Sequence, residues 1–244
     1  MKKRNVLQLI ALVLCAMVLL TACGGGKDKN EDESKSNTYE TPLEVMFEER
    51  NGKTAPALKD QIMDSLNGLY ADEVNAVLKI MEKTEAFEEW QDWSEEDFED
   101  FAAEAEYEYG DNWKLTYKIE EKEKAETDDL KDFEEEWRSL ADDINDIVDE
   151  TEYFDSEDWE DYAYEIGLSV DQTKNLTKEL EKLAKAIRNS KVEEAYNLQL
   201  TITAKGDDAE DEWETQFIVA KIDGRWISME AGELLWDLVD ALGY

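Results

Sequence analysis

The sequence predicts an α+β fold: a curved antiparallel sheet, made of one strand and then a three-strand meander, packed by N-terminal helices and carrying a long helical insertion. Three observations lead there. Apolar residues recur every three or four positions through much of 41–110 and 127–189. They alternate with polar residues over 113–120 and again from Tyr196. Asp223-Gly224 then stands between two apolar runs, the pattern of a two-residue hairpin turn.

Taken in order, Thr41-Pro42-Leu43-Glu44 reads as a helix start, with Thr41 as cap and Pro42 at the first helical position, and Asn51-Gly52 as its stop. A second helix is expected over 55–66, with Leu58, Ile62 and Leu66 on one face and Asn67-Gly68 ending it. A third over 72–81 turns Val74, Val77, Leu78 and Met81 inward. Ser94, supported by Asp97, is expected to cap a fourth, whose stripe is Phe98, Phe101, Ala102 and Ala105 and whose stop is Gly110. Trp90 and Trp93 fall between these helices and fit no stripe. Residues 113–120 alternate as a half-buried strand.

The insertion, about 126–190, opens near Thr127 with Leu130, Phe133, Trp137, Leu140, Ile144 and Ile147 on one stripe. A short helix starts at Asp155 or Ser156. Ser169 and Gln172 form a capping box for a helix with Thr173, Leu176, Leu180, Leu183 and Ile187 inward. The two long helices have matching narrow seams and should pack together as an antiparallel pair. Strands follow from Tyr196 to Ala204 and over 213–222. The second is apolar on both faces in its latter half, as suits a central strand. After the turn, residues 225–229 return, and Leu234, Leu235, Leu238, Val239 and Leu242 close the chain as a helix or capping segment.

Composition supports a folded body. Eight Trp, ten Tyr and seven Phe are too many aromatics for a chain that stays unfolded. With 26 basic and 64 acidic residues the net charge is −38, which repels nucleic acid and anionic headgroups, so nucleic acid is excluded as a partner.

The start of the chain gives an address. Lys2, Lys3 and Arg4 precede an apolar run that ends in Leu20-Thr21-Ala22-Cys23. This is the layout of a secretory signal, too short for a membrane span. Its last four residues resemble the bacterial lipoprotein pattern. That resemblance implies a diacylglycerylated Cys23, cleavage between Ala22 and Cys23, and a membrane partnership through the lipid anchor. Residues 1–22 are then the signal, 23–40 the lipidated Cys and a flexible tether, and 41–244 one α+β domain. Acyl chains partition at roughly 0.8 kcal/mol per buried methylene, so two hold a protein stably. The tether, rich in Gly and charge, spans roughly 20–25 Å. Cleavage removes three of the 26 basic residues and none of the 64 acidic ones, leaving −41.

The helix–strand–helix–meander order, ending in Val219, Lys221, Ile222, Asp223, Gly224 and Trp226, resembles the cone-shaped α+β fold of nuclear transport factor two-like, or cystatin-like, domains. It is similar more narrowly to Gram-positive surface lipoproteins built on that fold. The resemblance implies a concave sheet face, where Trp113, Tyr117, Tyr196, Trp213, Phe217 and Trp226 could stack on a sugar or hold a cation, or simply be core. Enzymes on that fold place Asp, His or Tyr in the cone. This chain has no His, and with Cys23 lipidated no free thiol remains, so Ser/His/Asp and Cys/His arrangements are excluded. No glycine-rich phosphate loop occurs. The crowded carboxylates Asp207, Asp208, Glu210 and Asp211 follow no regular calcium-loop spacing. The expectation is a non-enzymatic lipoprotein without cofactor or metal, binding a small ligand or a protein. The alternative is an enzyme of the same fold working through carboxylates and Tyr.

Overall fold

The computed structural model describes residues 37–52 and 54–240. The signal, Cys23, the tether up to residue 36, and Leu242 lie outside the described residues. Four helices come first: α1 (Thr41–Arg50), α2 (Leu58–Ser65), α3 (Ala71–Met81) and α4 (Glu85–Tyr109). Strand β1 (Lys114–Lys124) leads into α5 (Thr127–Thr151), α6 (Ser156–Glu165) and α7 (Val170–Asn189). Then come β2 (Val192–Lys205), β3 (Glu210–Ile222), β4 (Arg225–Ser228) and the closing helix α8 (Glu230–Asp240). The sheet is antiparallel throughout, in the order β1-β2-β3-β4. The fold class is therefore the expected α+β, with β2 and β3 both central.

Two apolar cores flank this sheet. One face presents Leu115, Leu198, Leu200, Ile202, Ala204, Phe217, Val219 and Trp226 to Leu43 and Phe47 of α1 and to Phe101, Ala105 and Tyr109 of α4. The other face is covered only at one end, where Ala195, Ala220, Ile222 and Ile227 meet the helical core of α2, α3, α5, α7 and α8. The insertion thus packs over the sheet instead of standing apart. Its helices α5 and α7 share the most extensive helix–helix contact among the described residues. All five expected inward residues of α7 are buried.

The capping boxes at Asp155/Asp158 and Ser169/Gln172 form. Asp223 and Gly224 take φ values of 46° and 80°, both positive as the two-residue turn requires. Gly206 is demanded by contact instead: a Cβ there would lie 2.1 Å from the Tyr109 carbonyl oxygen, where the end of α4 presses on the β2–β3 turn.

Three helix starts differ from expectation. Glu40, not Thr41, precedes α1 as its cap residue, and the Thr41 hydroxyl accepts from the Thr38 N–H at 2.9 Å. Helix α2 begins at Leu58, not near Ala55, because a residue before proline is pushed out of helical geometry and Pro56 follows Ala55. Helix α4 runs unbroken from Glu85. Thr84 caps it by accepting from the Phe87 N–H, while Ser94 lies mid-helix, fully buried, with its hydroxyl accepting from Gln61 Nε2 at 3.0 Å. Trp90 and Trp93 accordingly sit within α4, not between helices. Trp93 is half exposed and Trp90 packs edge-on against Phe87.

Candidate functional site

The six aromatics expected to line a concave face, Trp113, Tyr117, Tyr196, Trp213, Phe217 and Trp226, do come together on one side of the sheet. The space beside them is filled. Tyr117 packs on Phe47 and Trp113 meets Phe101 edge-on at 5.7 Å. The voids left there measure about 20 Å³, beside Phe217 and Pro42, and about 10 Å³, beside Trp213 and Tyr109. A single water occupies ~30 Å³ in the liquid, so neither void holds an organic ligand.

A cation does meet these aromatics, but it comes from the chain. Lys122 Nζ lies 4.0 Å from the Tyr39 ring centroid and 4.5 Å from that of Tyr196, which stacks on Trp226 at 5.5 Å. A β-bulge makes this possible. Ile119 pairs with Leu200 and Glu121 with Gln199, so Glu120 is the extra residue. Side chains alternate in a strand, and one extra residue switches the phase. Leu115, Tyr117 and Ile119 face the aromatic core before the bulge, and Lys122 and Lys124 face it afterwards. By the same switch Glu123 turns to the opposite face, beside Asn197.

That opposite face carries an open space against the sheet. A groove of about 820 Å³ runs between β2–β3 and the first turns of α5. Its floor is Ala195, Asn197 and Ile218, its walls Ala125, Phe133 and Met229, and its rim includes Glu123, Glu126 and Glu136. Ile218 is 39% exposed there, so the apolar latter half of β3 is buried on one face and only partly covered on the other. Asn197 Oδ1 is buried and accepts no hydrogen bond. Among the described lining residues Lys124 is basic, but its side chain turns to the aromatic face and pairs there with Glu194 at 3.7 Å. A narrower cleft of about 60 Å³ opens from the same region between α5 and α8, lined by Phe133, Trp137, Leu140, Met229 and Trp236 with Glu136 at its edge. Only the two-faced apolarity of β3 hints at this groove in the sequence, since its lining comes from five separate stretches.

Buried charge sits elsewhere, between α1 and α4. Arg50 is 3% exposed, Glu49 is 7% exposed, and the guanidinium lies 5.0 Å from the Phe101 ring centroid. Burial lowers the Arg50 pKa to about 10, against the opposing pull of Asp97 and Glu49. Burial also raises the pKa of Asp97, which Arg50 partly offsets. Asp97 and Arg50 are an ionisable pair that the sequence pattern does not reveal: Asp97 reads there as support for a cap at Ser94, and Arg50 stands forty-seven positions away.

The acidic turn considered for calcium is tied up locally. Asp207 Oδ2 accepts from Asn112 Nδ2 at 2.7 Å, and Glu210 pairs with Lys205. Among the described residues no cluster of three or more Cys, Asp or Glu converges on a metal position. No described helix is long and apolar enough to cross a membrane. No protein-family model, curated protein or solved structure matches the chain.

Proposed function

We propose that the chain is a lipoprotein held at the outer face of a cell membrane by acyl chains on Cys23, and that it works without chemistry of its own, presenting an acidic α+β body that binds a small ligand or a protein partner. The observation that carries this reading is Leu20-Thr21-Ala22-Cys23 behind a basic start and an apolar run. The binding half is supported by the groove of about 820 Å³, which has apolar walls, an unmatched buried acceptor and a carboxylate rim. The likeness to cone-shaped domains enters through the antiparallel sheet with helices on its inner face, although here that face is packed solid and the open surface is its reverse.

The alternative, an enzyme using carboxylates and Tyr, finds its best group in Asp97 beside Arg50. Asp97 lines none of the four cavities described above.

Mass spectrometry of the protein taken from membranes tests the anchor. The expected species starts at Cys23 and carries a diacylglyceryl thioether. A free thiol at Cys23 on a chain still beginning at Met1 overturns the reading. Replacing residues 1–23 by an ordinary secretory signal should send the folded body into the medium.

A further inference from the structure

We propose that the groove between the β2–β3 face and the start of α5 is a docking site for a basic, amphipathic peptide segment of a partner protein, one that sets an apolar side chain into the α5–α8 cleft and lysine or arginine side chains against Glu123 and Glu136. This rests on the reading of the body as a binding module, and it names the partner's chemistry.

Three observations select this occupant. The rim offers carboxylates from both sides, Glu123 from β1 and Glu136 from α5, while Lys124 is drawn to Glu194. The chain as a whole carries a net charge of −38, which draws cationic ligands toward it. Ile218, Phe133 and Met229 offer apolar contacts within the groove, and Phe133 and Met229 also line the cleft of about 60 Å³. That cleft suits one short aliphatic side chain.

Other occupants fit less well. A second copy of the chain brings the same negative charge. The chain's own tether carries Lys27, Lys29 and Lys35 but also Asp28, Glu31, Asp32 and Glu33, so it is acidic on balance. A small molecule is held by enclosure on most sides, whereas this trough is open along its length.

The test uses the mature chain in detergent, titrated with a short peptide alternating Lys and Leu, and with its Glu–Leu counterpart, at about 0.15 M salt, where the screening length is about 8 Å. The Lys–Leu peptide should bind and the Glu–Leu peptide should not. The double variant Glu123→Gln with Glu136→Gln should weaken binding at least about threefold, the effect of removing two exposed charge contacts. The charge-matched control Asp158→Asn with Glu160→Gln, on α6, should leave it unchanged. Ile218→Lys, at a site 39% exposed, should also weaken it. Equal loss in the two double variants would mean diffuse attraction to an acidic surface and would overturn the site. So would tighter binding of a small aromatic amine than of the peptide, which would make the groove a small-ligand pocket. Absence of lipid on Cys23 would sink the anchor and leave this titration unaffected.

Discussion

Trp137 Nε1 donates to the Tyr70 hydroxyl at 3.0 Å inside the larger core, and Tyr70 is also the residue that turns left-handed, at φ 52°, to start α3. Burial pushes its pKa up to about 12. An acid whose folded pKa lies above its unfolded value of ~10 is protonated in the fold while the unfolded chain has already ionised. Its stabilisation is full below pH ~10 and is lost as pH rises from there toward 12. Tyr109, Tyr117 and Tyr162, also raised to about 12, act in the same window, and Arg50, lowered to about 10, opposes them. Urea unfolding should therefore weaken between pH 10 and 12. Tyr70→Phe should begin about 1–3 kcal/mol less stable at pH 8, because the Trp137 N–H loses its acceptor, yet should lose less across that window. An unchanged alkaline slope in the variant would show that Tyr70 ionises freely. A second residue-scale device closes the sheet. Asn51 accepts from the Leu115 N–H at 2.7 Å and donates to its carbonyl at 2.9 Å, which blocks the outer edge of β1. At the other edge Asn37 accepts from the Trp226 N–H and Asn67 donates to the Trp226 carbonyl. Open edges invite pairing between chains. Asn51→Ala should cost about 1–2 kcal/mol, and sedimentation should show more self-association than in the parent chain. Both asparagine stops were visible in the sequence as helix breakers. Their partners were not, because Leu115 lies sixty-four positions from Asn51.

At the level of elements, local chemistry was readable wherever it was self-contained. The boxes at Asp155 and Ser169 form from residues three apart, and the Asp223-Gly224 turn needs only its own two φ angles. Helix α4 was misread because Ser94 and Asp97 imitate a box while tertiary contact decides otherwise. Gln61 of α2 reaches across to the Ser94 hydroxyl, and burial of that pair holds the helix continuous through the false start. The true cap, Thr84, follows the end of α3 so closely that the two helices read as one polar interval. Its hydroxyl accepts from the Phe87 N–H at 3.2 Å and donates to the Met81 carbonyl at 2.8 Å. Thr84→Ala should destabilise by about 1 kcal/mol, the usual worth of a lost cap, with a lower urea midpoint. Were α4 to begin at Ser94, the same change would leave the midpoint where it was. The bulge at Glu120 is the other element-scale feature the alternation could not foretell, since it depends on register against β2. It decides that Lys122 meets Tyr39 and Tyr196 and that Glu123 meets the groove.

For the whole molecule the controlling quantity is charge. Sixty-four acidic side chains face 26 basic ones, so the acids outnumber the cations available to pair with them by 38. The ion pairs that do form are largely exposed, such as Lys118–Glu120, Arg138–Glu134 and Arg188–Asp142. Each such pair is worth only ~0.2–1 kcal/mol and is screened by salt. Two terms therefore compete as ionic strength rises: the pairs weaken, and the repulsion among unmatched carboxylates weakens as well. The repulsion involves more charges and acts over longer distances, so it should dominate. Raising salt from 0.01 to 0.1 M shortens the screening length from ~30 to ~10 Å, the scale that separates charges on neighbouring helices. The melting temperature should rise by several degrees over that interval, since ~1 kcal/mol moves it about 2–4 °C in a protein of this size. Sodium and calcium chloride at matched ionic strength should give the same rise if screening alone is responsible. An added increment with calcium would reveal a bound cation. A melting temperature that stays level or falls would mean that the acids are far better paired than the exposed pairs described here allow.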